Sequence, residues 1–164
     1  CGAGAPPAGE AALPATPENA QAKVDEPPVQ TVDFSKLVER DGLMYEGDSE
    51  TPFTGVVVEK HENGQKSLEQ PFKDGKEEGP YTFWHANGQK SAEGTFKDGK
   101  PEGPGTGWHE NGQKKVEATY KDGELEGLVT WWHANGQKAK ELTFKDGTDV
   151  SKTEWDEEGN EIKE

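Results

Sequence analysis

A block of 24 residues recurs in register down the second two-thirds of the chain. Asn-Gly-Gln-Lys stands at Asn63–Lys66, Asn87–Lys90, Asn111–Lys114 and Asn135–Lys138, and Lys-Asp-Gly at Lys73–Gly75, Lys97–Gly99, Lys121–Gly123 and Lys145–Gly147. A lone glycine repeats at Gly55, Gly79, Gly103 and Gly127. Two turn signals per block, a strand's length apart, predict a stacked array of hairpins. The expected fold class is all-β: an elongated single-sheet antiparallel β-meander of 24-residue hairpin repeats, preceded by a disordered Ala/Pro-rich tether. An array of this kind offers surfaces and no deep cleft.

Composition agrees with a thin sheet. Of 164 residues, 29% are hydrophobic and 31% charged, too little apolar matter for a two-layer globule. The net charge of −15 opposes binding to phosphate backbones and to anionic headgroups, so no nucleic-acid partner is expected. No run of 18 apolar residues is present to form a spanning helix.

Within one unit, Pro80–His85 reads as a strand, Ala86-Asn87-Gly88 as a turn, Lys90–Phe96 as the return strand, and Lys97-Asp98-Gly99 as a second turn. The final, degenerate unit puts Glu158 in the asparagine slot. Glutamate tolerates positive φ poorly, which favours a three-residue loop over a two-residue type I′ turn. That loop sets Trp84 opposite Lys90 and Thr82 opposite Ala92. Even-numbered positions then share one face, and a core stripe of Trp84, Trp108, Trp132, Phe72, Phe96, Tyr120 and Phe144 is expected there. The odd face carries the glutamates Glu69, Glu93, Glu117 and Glu141. It also carries an aromatic patch beside a glycine dent: Val57, Tyr81, Phe83, Gly105, Gly107, Val129 and Trp131. This patch is the candidate binding surface.

The four histidines, His61, His85, His109 and His133, occupy one repeat slot. Equivalent slots lie two strands apart, about 9.6 Å at the usual strand spacing, too far to share one zinc ion. A turn-flanking structural role is expected, with mild pH sensitivity of the aligned row. The glutamate row owes its spacing to the repeat and lines no pocket evident in the sequence. With no nucleophile set, phosphate loop or metal motif outside the repeat slots, no enzyme, metal or cofactor is expected.

The pattern Phe-Lys-Asp-Gly, three residues, Gly, four residues, Trp-His-x-Asn-Gly-Gln-Lys resembles the bacterial variant of the MORN (membrane occupation and recognition nexus) repeat. With the lead-in Val38–Tyr45 and Pro52–Val57, the resemblance covers roughly residues 38–163. It implies a meander of antiparallel hairpins without shared catalytic residues. Proteins with this variant are often labelled antitoxins, and many carry lipoprotein signals.

Cys1, the single cysteine, is followed by Gly2, Ala3 and Gly4, and looks like the lipidated residue of a mature bacterial lipoprotein. Residues 1–30 hold eight alanines and six of the eleven prolines, material for a polyproline spacer. The expected organisation is a lipid-anchored flexible tether at 1–31, a short lead-in at 32–41 that reads as helix or edge strand, and a MORN-type β-hairpin repeat domain at 42–164. The expected role is a non-catalytic cell-envelope protein, anchored in the membrane through acylated Cys1, at the outer membrane or cell surface. Its sheet would serve as a protein–protein interaction or structural module for an envelope or surface partner. The alternatives are a glycan- or peptidoglycan-binding module and an antitoxin or immunity-type protein.

Overall fold

The computed structural model describes residues 29–163. Residues 1–28, with Cys1 and nearly all of the expected tether, lie outside them. The lead-in resolves into three pieces: strand β1 (Thr31–Val32), a 3₁₀ turn at Phe34–Lys36, and β2 (Leu37–Arg40). The Asp33 carboxylate caps the 3₁₀ turn by accepting from the Ser35 amide at 2.9 Å. β2 pairs with β3 (Leu43–Glu46) as a separate hairpin across Asp41-Gly42.

The array follows. Its strands are β4 (Gly55–Lys60), β5 (Lys66–Lys73), β6 (Lys76–Glu77), β7 (Gly79–Trp84), β8 (Lys90–Lys97) and β9 (Lys100–Pro101). It continues through β10 (Gly103–Trp108), β11 (Lys114–Lys121), β12 (Glu124–Leu125), β13 (Gly127–Trp132), β14 (Lys138–Lys145) and β15 (Thr148–Glu154). These strands and β1 form one 13-stranded sheet, antiparallel from β4 to β15, with β1 added in parallel at the β4 edge. The short β6, β9 and β12 pair only with the strand before them.

Both turns follow from their residues. The His85 amide donates to the Gln89 carbonyl at 2.8 Å and the Gly88 amide to the His85 carbonyl at 2.9 Å, closing a three-residue loop. Only its glycine has positive φ, 85°, and the Asn87 side-chain oxygen accepts from the Gln89 amide at 2.9 Å. At the other turn, Asp98 and Gly99 take φ of 50° and 77° between paired Lys97 and Lys100, the type I′ geometry.

The face assignment needs correction. Trp84 does oppose Lys90, but Phe83 opposes Ala92 and Thr82 opposes Glu93, because Ser91 is an extra residue in a β-bulge. The same shift occurs once in each of the other three repeat hairpins, where Ser67, Lys115 and Ala139 are the extra residues. A one-residue slip exchanges faces. Trp84, Trp108 and Trp132 therefore leave the expected core stripe and stand on the face of Glu69, Glu93, Glu117 and Glu141. Phe72, Phe96, Tyr120 and Phe144 share the opposite face with Val57, Tyr81, Phe83, Gly105, Gly107, Val129 and Trp131.

Successive repeats are tied by side chains as well as by strand pairing. Each histidine Nε2 donates to a tryptophan carbonyl one unit on, as His61 does to Trp84 at 2.8 Å. Each turn asparagine amide donates to the next turn, as Asn87 does to the Glu110 carbonyl at 2.8 Å. On the other side, Glu78, Glu102 and Glu126 accept from the amides of Asp98, Asp122 and Asp146. The buried core is concentrated at the N-terminal end, where Leu37, Phe53, Val57 and Phe72 cluster. The β2–β3 hairpin seals that end: the Met44 amide donates to the Gly75 carbonyl and the Phe53 amide to the Met44 carbonyl, both at 2.8 Å.

Candidate functional site

Among the described residues the array is a single sheet over most of its length, so the side chains of both faces decide what they can do. The tryptophan face is internally neutralised. Lys66 pairs with Glu69 and lies 5.6 Å from the Trp84 ring centre. Lys114 and Lys138 repeat this arrangement over Trp132 and Trp155 at 5.8 and 5.7 Å. Each lysine pairs with the glutamate three residues on because the bulge brings both to one face. Exposed pairs of this kind contribute little stability. They leave Trp84, Trp132 and Trp155 covered by the chain's own cations.

The phenylalanine face is different. At its N-terminal end lies a cavity of about 280 Å³ lined by Phe34, Val57, Leu68, Gln70, Phe72, Glu77, Tyr81, Phe83 and Phe96. Tyr81 stands edge-on to Phe83, 5.7 Å between centres at 77°, and tilted against Phe96 at 5.1 Å. Phe53 backs Phe72 at 6.0 Å. Val57 forms the floor at 0% exposure, whereas Phe34 and Phe83 are 46% and 39% exposed at the mouth. The buried Gln70 amide is satisfied by the Pro71 carbonyl at 3.0 Å. Burial, with Tyr120 contributing less, pushes the Tyr81 hydroxyl pKa above its ordinary value.

Of the expected patch, the structure brings Val57, Tyr81 and Phe83 together in this cavity. Gly105, Gly107, Val129 and Trp131 continue along the same face on β10 and β13, outside it. The dent expected at the two glycines is occupied from the side. A Cβ on Gly107 would meet Val116 Cγ1 at 2.9 Å, and one on Gly105 would meet Tyr120 Cε2 at 3.7 Å. Trp131 holds Lys140 5.8 Å from its ring centre, and Lys140 pairs with Glu154 at 3.5 Å.

Sequence reasoning missed Phe34, Leu68, Gln70 and Glu77 as cavity residues, and placed Phe72 and Phe96 on the other face from the patch. One signal was present: Gly94. It stands opposite Tyr81, and a Cβ there would meet the Tyr81 ring within 3 Å, so the glycine makes room for the ring. Among the described residues no group of three or more His, Cys, Asp or Glu is placed to hold a metal ion.

No curated protein matches the chain significantly in sequence. Three consecutive segments, residues 77–98, 101–122 and 125–146, match the MORN repeat variant, so the array of β6 to β14 is built from MORN-type repeats.

Proposed function

We propose that this chain is a non-catalytic, lipid-anchored cell-envelope protein whose repeat sheet is an interaction module for an envelope or surface protein. The observation that supports this reading most is the phenylalanine face. It carries an open apolar cavity, and Phe34 and Phe83 remain exposed at its mouth. Exposed aromatics around a preformed hollow are the material of interface anchors. On the opposite face, lysine–glutamate pairs line the row of Glu69, Glu93, Glu117 and Glu141.

The anchor in this reading is an acylated Cys1, followed by the Ala/Pro-rich spacer. Mass spectrometry of the N-terminal peptide from the native protein tests it: a diacylglyceryl adduct supports the anchor, and a free thiol removes it. For the module, affinity capture of the full chain from native membranes should recover one stoichiometric partner. Phe83→Asp should lose that partner; repeated recovery of the chain alone would count against the reading.

A glycan-binding module is the second reading, favoured by the half-buried ring of Trp131 on the same face. It requires that Trp131→Ala abolish retention on the glycan.

A further inference from the structure

Five aromatic rings, those of Phe34, Phe72, Tyr81, Phe83 and Phe96, line the cavity, and no lysine, arginine or histidine does. The Tyr81 ring stands at 77° to Phe83 and 49° to Phe96, so these three rings form angled walls and do not stack as a slab. The acidic residue in the lining is Glu77, which is half-buried; its Oε2 would stand 3.5 Å from a Cβ on Gly99, and its side chain has no ion pair or hydrogen bond among the described residues.

Elsewhere among the described residues, five aromatic rings lie under the chain's own cations. Arg40 sits over Tyr45, Lys66 over Trp84, Lys114 over Trp132, Lys138 over Trp155 and Lys140 over Trp131. Among the described residues, none of the five cavity rings has such a partner. A box of electron-rich rings beside an unpaired carboxylate, in a chain of net charge −15, is electrostatically complementary to a cation.

We propose that the cavity binds a quaternary ammonium group. A primary ammonium is strongly hydrated and carries three N–H donors, whereas the lining is mostly carbon, with only Glu77, Gln70 and the Tyr81 hydroxyl to accept from them. A quaternary ammonium has no N–H to satisfy, is weakly hydrated, and presents methyl groups to the ring faces. The site goes beyond the interaction module proposed above, and its test does not depend on finding a protein partner.

The probe is choline, titrated calorimetrically into the full chain, with 3,3-dimethylbutan-1-ol as its neutral isostere and butylammonium as the primary amine. Choline should bind saturably, and the isostere and butylammonium at least about tenfold more weakly. Phe83→Leu, at an exposed position, should weaken choline by a similar factor, as should Glu77→Gln, while Leu128→Ala, on the opposite face, leaves it unchanged. Phosphatidylcholine vesicles that compete with choline would mark a headgroup site; vesicles that do not would mark a site for a free solute. Both results presuppose choline binding and keep the proposal. No saturable choline binding, an isostere or primary amine that binds as tightly, or an unchanged Phe83→Leu would overturn it.

Discussion

The imidazole Nε2 of His85 donates a hydrogen bond to the backbone carbonyl of Trp108, 2.9 Å away and one repeat downstream. His109 and His133 do the same to Trp132 and Trp155 at 2.9 and 3.0 Å. A carbonyl can only accept, so each ring must carry its proton on Nε2. The neutral ring meets that demand as one tautomer, and the protonated ring meets it automatically. The pH sensitivity expected of an aligned histidine row therefore does not follow from this contact.

Nitrogen-15 NMR should find the neutral histidines as Nε2–H tautomers, with the bond retained on acidification to pH 5.5. His109→Ala should lower stability by about 1–2 kcal/mol in urea titrations, because it leaves the Trp132 carbonyl short of a donor. Neutral rings protonated on Nδ1 would contradict the ladder.

Val57 and Leu128 test where the core lies. Val57 is fully buried in the N-terminal cluster, whereas Leu128 is 55% exposed on the tryptophan face. Val57→Ala should cost about 2 kcal/mol from lost burial and the cavity left behind. Leu128→Ala should stay within about 0.5 kcal/mol of the parent chain. Amide exchange should be slowest around β4 and β5 and fastest in β15, where burial is least.

Asp98 holds φ of 50°, as do Asp74 and Asp146 in the equivalent turns. Aspartate and asparagine tolerate this region; a β-branched residue does not. Asp98→Val should destabilise by about 1–2 kcal/mol, while Asp98→Asn should be nearly neutral. Equal urea midpoints for the two variants would contradict the type I′ assignment.

The Asp156 carboxylate organises the last loop. It accepts from the Asn160 amide at 2.8 Å and the Glu158 amide at 3.1 Å, and the Asn160 bond is the largest of the causes that hold its pKa below the ordinary value. A depressed folded pKa gives stability that is present above the unfolded pKa, near 3.9, and is lost as pH falls through the folded value. Between pH 5 and pH 7 the cap should be insensitive to pH. Below about pH 4 it should loosen, and Asp156→Asn should reduce that acid-dependent loss in melting curves.

The array was legible because its turns are written in residues that few other structures need. Asp98-Gly99 demands two positive φ values, and Glu158 in an asparagine slot argued for a loop in which only the glycine bends back, as observed at Gly88. The faces were not legible. Ser91 looks like any strand residue, yet as the bulged one it sends Trp84 and Phe83 to opposite sides. The bulge allows Lys90 and Glu93 to meet on the tryptophan face, a pairing visible in the spacing only once the bulge is known. The cavity was half legible. Tyr81 and Phe83 belong to a patch the sequence points to, but Phe34 reaches the site from outside the repeat, and Glu77 lies in the short β6, whose neighbours depend on register. Gly94 opposite Tyr81 was the available clue.

In the proposed role, the N-terminal end of the phenylalanine face is where the chain meets its partner. A photo-cross-linking phenylalanine at position 83, at the cavity mouth, tests it against the same group at position 128, exposed on the opposite face. Irradiated in the cells that make it, the full chain should give one discrete adduct from position 83 and none from position 128. Adducts from position 128 alone, or equally from both, would contradict it.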